Sequence, residues 1–260
     1  MSVARVTGRL YLALLLAFLL APVVVVVLAS LSTTSYLTVP PKGLTLRWFG
    51  EVLRNPEFLD AIATSLVLAA AATAGSLVLG TAAAYALVRR AVPGAAGVSA
   101  FLMAPLVFPG VVIGVALLQF YTQVGIAGSF AGLAAAHVVI TVPYVVRAVM
   151  ASLAGVDGSI EEAARVLGAS PLTAFFTVTL PLVRPGLVSG GLFSFIISFD
   201  NVPVSIFLLN VRQTTLPVKI FTMVEYGVDP SVAAVSTLLI IATGLGLVLA
   251  ERWTGFHKFV

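Results

Sequence analysis

The chain has 260 residues, of which 60% are hydrophobic and only 9% charged, with a formal net charge of +4 and a mean hydropathy of +1.14. A soluble domain carries roughly 25% charged residues, so this sequence cannot clothe a water-facing surface and belongs in a membrane. Its apolar runs are long and do not alternate, which selects helical spans of about 20 residues over barrel strands that alternate across about ten. No cysteine is present, so disulfides and thiol chemistry are excluded.

Six spans are expected, near 10–31, 62–88, 97–120, 131–150, 186–209 and 230–250. Arg5 and Arg9 precede the first. Its apolar stretch covers about 22 residues against the 7–15 of a secretory signal, so it reads as a span. After it, Leu46-Arg47-Trp48-Phe49-Gly50-Glu51-Val52-Leu53 carries an apolar stripe and reads as a short helix lying at the membrane surface, or as a plain loop. The second span is longer than a core of about 30 Å requires, and projects beyond it or tilts. Pro105 and Pro109 interrupt the third and Pro143 the fourth. Lipid tolerates such interruptions only where neighbouring helices or water satisfy the freed backbone groups, which favours a packed bundle with a pathway. In the fifth, Gly186, Gly190, Ser194 and Ser198 recur every four residues. That ridge permits close helix approach, to a partner in this chain or in another.

Lysine and arginine set the orientation. With the N-terminus inside, the inner segments hold Arg5, Arg9, Arg89, Arg90, Arg147, Arg165, Arg184, Arg252 and Lys258, nine residues. The outer segments hold Lys42, Arg47, Arg54, Arg212 and Lys219, which makes five. Both termini are therefore expected inside, and the positive charge needs no nucleic-acid partner. This topology makes residues 151–185 the longest cytoplasmic loop. Within it Ser159 and Glu162 have capping-box spacing, Gly168 is placed to end the helix, and Ser170-Pro171 to start another. Leu180-Pro181 and Pro185 break the chain again before the fifth span. Two readings stand: a solvated hairpin joining two spans, or a segment shown to a soluble partner.

Glu162-Ala163-Ala164, three residues, Gly168, nine residues, Val178, one residue and Leu180-Pro181 together resemble the EAA loop of permease subunits in ATP-binding-cassette importers, with valine at the more usual isoleucine. In that family the loop is a coupling helix that docks in a cleft on the ATPase. The resemblance implies an all-α integral membrane protein of MetI-like permease fold, one transmembrane domain over 1–260 with six helices. It makes Glu162, Ala163, Ala164, Gly168, Leu180 and Pro181 the ATPase-coupling residues. The implied partners are an ABC ATPase dimer, a second related permease, an extracytoplasmic solute-binding protein and the lipid bilayer. The implied setting is a bacterial-type inner membrane. The chain has no GxxxxGK[ST] phosphate cradle. It is therefore expected not to be an enzyme and to bind no cofactor, ATP and Mg being held by the partner ATPases. His137 and His257 stand alone without HExxH spacing, so no metal site is expected and His137 reads as packing.

Asp200, about 14 residues into the fifth span, lies roughly 21 Å from its cytoplasmic end at 1.5 Å per residue, in the outer part of the membrane. An acid at such depth is costly and faces a polar cavity or another subunit. It reads either as an interhelical pair or helix-break cap, or as a translocation-path carboxylate favouring cations, with Asn201, Gln119 and Tyr121 as neutral neighbours. Ser198-Phe199-Asp200-Asn201, Thr215-Leu216-Pro217-Val218-Lys219-Ile220, Tyr226-Gly227-Val228-Asp229-Pro230 and Ser236-Thr237-Leu238-Leu239-Ile240 resemble the spermidine/putrescine branch of these permeases. Many members carry a second acid where this chain has Asn201. The cargo implied is a small, cationic or amine-containing solute such as a polyamine, opine or aminophosphonate. An ion-gradient-driven secondary transporter or channel subunit is the free-standing alternative; such proteins show charged relays or inverted repeats.

Overall fold

A computed structural model describes residues 3–90, 92–210, 213–227 and 229–254. Arg212, Val228, His257 and Lys258 lie outside the described residues. Among the described residues every regular element is helical and none is a strand.

Helix α1 covers Val3–Ser30 and the short α2 covers Arg47–Arg54. Asn55 closes α2 and opens α3, Pro56–Arg89. Its N–H donates to Glu51 O at 3.0 Å, while its Oδ1 accepts from the Glu57 N–H at 2.9 Å. The local sequence dictates this joint. Asparagine satisfies a free amide, proline at the first helical position has no amide to orphan, and the residue before proline is driven to extended backbone. Asn55 accordingly has φ −82° and ψ 114°.

Helix α4, Ala95–Met103, runs into a 3₁₀ turn at Ala104–Leu106 and is followed by α5, Gly110–Gln123. A single span is expected over 97–120; the structure bends its two halves by 103°. The turn holds Pro105, and Pro109 at ψ 135° leaves the helical region just before α5. Helix α6, Phe130–Ala154, starts at Ser129, whose Oγ accepts from the Gly132 N–H at 3.0 Å.

Four short elements follow: α7 (Ser159–Val166), α8 (Pro171–Ala174), a π turn (Phe175–Thr179) and α9 (Leu180–Leu182). Pro181 has no amide for the carbonyl one turn earlier, and the wider π turn sits directly before it. Helix α10, Arg184–Phe199, leaves the Pro171–Leu182 segment at 74°. The fifth span, expected over 186–209, ends as regular helix at Phe199. Asp200-Asn201-Val202-Pro203 separates it from α11, Ser205–Leu208. Helices α12, Leu216–Tyr226, and α13, Pro230–Thr254, complete the described chain. Thr7–Ser30, Pro56–Arg89 and Phe130–Ala154 are each long and apolar enough to cross a membrane, and each bent pair can supply one more span.

The chain forms two compact units, Met1–Leu59 with Ile220–Val260, and Asp60–Lys219. In the first, α13 packs against α1 and α2. The expected amphipathic helix is present as α2; its apolar stripe buries Trp48 and Val52, and Trp48 Nε1 donates to Ser32 O at 2.8 Å.

In the second unit α6 is the central helix, and glycines bring its neighbours onto it. A Cβ on Gly186 would lie 2.7 Å from Ala148 O, and one on Gly190 would lie 3.0 Å from Val145 Cα. On the α3 side, a Cβ on Gly80 would meet the Val145 side chain at 2.8 Å. Between Gly75 and Gly80, Ser76 Oγ and Thr141 Oγ1 share a buried hydrogen bond of 2.7 Å. The small-residue ridge of α10 thus finds its partner within this chain, on α6.

Overpacking a tight interface costs typically about 1–3 kcal/mol. Gly186→Leu is expected to destabilise the detergent-solubilised protein by at least that amount. Gly244→Ala, whose added Cβ meets nothing within 4 Å, should leave it unchanged or slightly raised. Thermal unfolding of the two variants checks this; equal midpoints would contradict the packing described.

Candidate coupling loop and substrate path

The 155–185 segment is built from local signals that place α7 outward. Asp157, rather than Ser159, supplies the side-chain cap of α7. Gly158 already has helical φ −63° and ψ −25°, and Asp157 Oδ1 accepts from the Ser159 N–H at 2.9 Å. The expected capping box is thus replaced by an aspartate cap two residues earlier. Hydrogen bonds from Ser159, with the nearby Arg89 guanidinium, hold the Asp157 carboxyl below its ordinary value. At the other end Gly168 has φ +96°. Its N–H donates to Arg165 O at 3.0 Å and that of Ala169 to Ala164 O at 3.0 Å, the Schellman pair that only a left-handed residue completes readily. Ser170 then caps α8, accepting from the Thr173 N–H at 3.1 Å.

Of the sequence-derived coupling residues, Glu162, Ala163 and Gly168 are exposed, Ala164 is half-buried, Leu180 is half-buried and Pro181 exposed. Beside them Val166 and Leu167 are 86% and 89% exposed. Large apolar side chains this bare, at the end of a polar helix, form a surface suited to burial against a partner.

Residues outside the motif tie the loop to α3 and to its own π turn. Arg89, at the end of α3, donates to Val156 O at 2.6 Å, supplying a cation to carbonyls just past the end of α6. Tyr85, one turn earlier, donates its hydroxyl to Glu161, and Thr179 Oγ1 donates to the other Glu161 oxygen at 2.9 Å. Glu161 therefore faces inward while its neighbour Glu162 faces out.

The candidate substrate-path residues lie at and near the α10–α11 break. Asp200 is the C-cap of α10, its N–H donating to Ile196 O at 3.0 Å, and its exposed side chain has no hydrogen bond among the described residues. Asn201 serves the break itself: its Oδ1 accepts from the Val204 N–H at 2.9 Å and its carbonyl from the Ser205 hydroxyl at 2.6 Å. The break rests on α5, where a Cβ on Gly114 would lie 3.0 Å from Pro203 O. Tyr121 is buried in the core cluster that includes Val204 and Leu208, while Gln119 is exposed. No hydrogen bond joins any two of Asp200, Asn201, Gln119 and Tyr121. His137, read as a packing residue, is fully buried and clamps both sides of the break. Its Nδ1 lies 2.8 Å from Ser198 Oγ and its Nε2 3.0 Å from Ser205 Oγ.

A model of the family described as binding-protein-dependent transport system inner membrane component matches residues 76–256, a range that holds all of these residues. The chain belongs to that family. It is 36% identical over 253 residues to the putrescine transport system permease protein PotI of Escherichia coli strain K12, covering 94% of this chain and 90% of the relative. It is 35% identical over 238 residues to the spermidine/putrescine transport system permease protein PotC of Haemophilus influenzae, covering 92% of each. The molybdenum transport system permease protein ModB of E. coli strain K12 is 34% identical over 218 residues, 78% of this chain and 95% of ModB. Among solved structures, a bacterial ABC transporter involved in the import of the acidic polysaccharide alginate superimposes with TM-score 0.77 at 19% identity, covering 97% of this chain and 98% of that one. That likeness bears on the fold alone. The protein is thus an all-helical permease, a transport component of the inner membrane rather than an enzyme.

Spacing from the motif could not reveal Glu161, Tyr85, Arg89 or His137, because their partners lie far away in sequence. The sole local signal was the acidic pair Glu161-Glu162, which divides between an inner and an outer face.

A carboxyl whose folded pKa is depressed stabilises above the unfolded value, and that contribution is lost as pH falls through the folded value. Exchange of the Ser159 amide, corrected for intrinsic rate, should therefore accelerate as pH falls below about 3.9, the ordinary aspartate value. Asp157→Ala should show the fast rate already at pH 7; hydrogen exchange equal to wild type at both pH values would contradict this cap.

Proposed function

We propose that this permease forms part of the translocation path of an ATP-driven importer for a small cationic amine, delivered by an extracytoplasmic binding protein. Family membership supports the binding-protein dependence. The observation that carries the rest is the division of labour in the 155–185 loop: Val166 and Leu167 lie bare while Glu161 and Asp157 anchor the helix that bears them. A rigid helix with an uncovered apolar end is suited to sit in a cleft of an ATPase and be displaced by it. In this reading Glu162, Ala163, Ala164 and Gly168 meet the ATPase, and Leu180 and Pro181 form the bend toward α10. ATP and Mg are bound by the ATPase dimer. Both termini and the loop are cytoplasmic, the two compact units act as one transmembrane domain, and a second, related permease completes the path.

The amine assignment draws on the relatives named for putrescine and spermidine, which align over nine-tenths of this chain. The molybdenum relative is a reminder that one fold carries many cargoes, so the cargo must be argued from the site. Asp200 is the acid available at the break, because Asn201 already spends its side-chain oxygen on Val204. We assign Asp200 to the path wall, where one carboxylate attracts an ammonium group. Gln119, exposed on α5, belongs to the neighbouring wall, while Tyr121 stays in the buried core.

Reconstitution into vesicles with the ATPase, the second permease and the binding protein tests this. Labelled putrescine should enter only with ATP and all subunits present, and Asp200→Ala should raise the KM for uptake by at least about tenfold, the worth of one charged hydrogen bond. Uptake driven by an ion gradient through this chain alone would support a secondary transporter instead; unchanged uptake in Asp200→Ala would remove the acid from the path.

A further inference from the structure

Among the described residues, Glu161 is the one side chain whose hydrogen bonds join the exposed helix to two other elements at once. Its carboxylate accepts from Tyr85 of α3 and, 2.9 Å away, from Thr179 of the π turn. Thr179 is buried, and Glu161 itself is half-buried. Tyr85 is held in turn by two side chains. The Phe175 ring meets it edge-on at 4.9 Å between centroids, and Arg90 Cζ lies 5.7 Å above it. One turn on, Arg89 grips the carbonyl of Val156 at 2.6 Å. The last turn of α3 therefore holds the start of the loop at two points, while Thr179 ties the same carboxylate to the segment that bends into α10.

The outward face of α7 has no such ties. Glu162 and Ala163 are exposed, as are Val166 and Leu167. A displacement applied to that face can reach α3 and α10 through the covalent chain at Gly158 and Gly168, or through the Glu161 carboxylate. Two charge-assisted hydrogen bonds to a partly desolvated carboxylate make a stiffer and more directional link than a glycine turn.

We propose that Glu161 is a positioning residue that transmits movement of the coupling helix into α3 and the bend before α10, with Tyr85 and Thr179 as its receivers. This rests on the reading of α7 as the ATPase-docking helix. It assigns transmission to the first acid of the pair, and contact with the ATPase to the second. Loss of the joint should leave the docking face in place but let it slip against the spans, so that hydrolysis continues while transport per ATP falls.

The test uses the full complex in vesicles, with labelled putrescine and released phosphate measured together. In Glu161→Gln and in Tyr85→Phe, which keeps the ring against Phe175, the ATPase should still co-purify. The ratio of solute imported to ATP hydrolysed should fall at least about fivefold, the lower end of ordinary coupling energies. The double variant should be no worse than Glu161→Gln alone, because Tyr85→Phe removes a link that the first substitution already weakens. A merely structural role would lower assembly, hydrolysis and uptake in proportion and leave the ratio at the wild-type value. That result overturns the proposal, as does independent, multiplying loss in the double variant. Uptake by the wild-type complex that needs no ATP would instead overturn the importer reading and this inference with it, so the two failures are told apart by the wild type.

Discussion

Close approach of α3 and α10 to α6 is the constraint on which the second unit depends. Lipid tails are as apolar as leucine side chains, so helices in a bilayer gain little from hydrophobic burial against one another and must associate through packing and hydrogen bonds. Glycine lets backbones meet where any side chain would hold them apart: Gly186 and Gly190 on one side of α6, Gly75 and Gly80 on the other. The buried Ser76–Thr141 and His137–Ser198 bonds are reached only because the helices are so near. From this core the two candidate functional regions extend in different ways, one as a helix tied to α3, the other as a break in the chain clamped by a histidine.

The same logic explains how both regions depart from the packed interior without dissolving the fold. Helix α7 contributes little to the packed interior; it is fixed by a handful of polar links and ends in apolar side chains with nothing over them. The Asp200–Pro203 break interrupts the backbone ladder, yet its polar groups are not abandoned. Asn201 and Ser205 satisfy one another, and His137 spans the gap from a helix that does not break. Irregular backbone at membrane depth is tolerated when protein lines it in this manner.

Local signals were legible in proportion to how local their physics is. Gly168 reads as a helix end because the Schellman geometry needs a left-handed residue within two positions, and Ser170-Pro171 reads as a start for similarly short-range reasons. The ridge on α10 was visible as a pattern, but its partner was not, since four-residue spacing says nothing about which helix arrives. Pro105 and Pro109 announced an interruption, although the 103° bend depends on what the two halves pack against. The Ser159–Glu162 capping box failed because Asp157, one residue before a glycine able to turn helical, offered an acceptor sooner. Farther pairs were beyond reach: Tyr85 and Glu161 are 76 residues apart, and His137 stands 61 and 68 residues from its two serines.

The absence of cysteine from the chain makes one measurement especially direct. A lone cysteine placed by Leu167→Cys, at a position 89% exposed, should react rapidly with a membrane-impermeant maleimide from the cytoplasmic side of inside-out vesicles holding this chain and its partner permease. Assembly with the ATPase should slow that labelling by at least about tenfold, as burial of an exposed thiol in an interface requires. Equal labelling with and without a stoichiometrically bound ATPase would contradict the assignment of α7 as the docking helix.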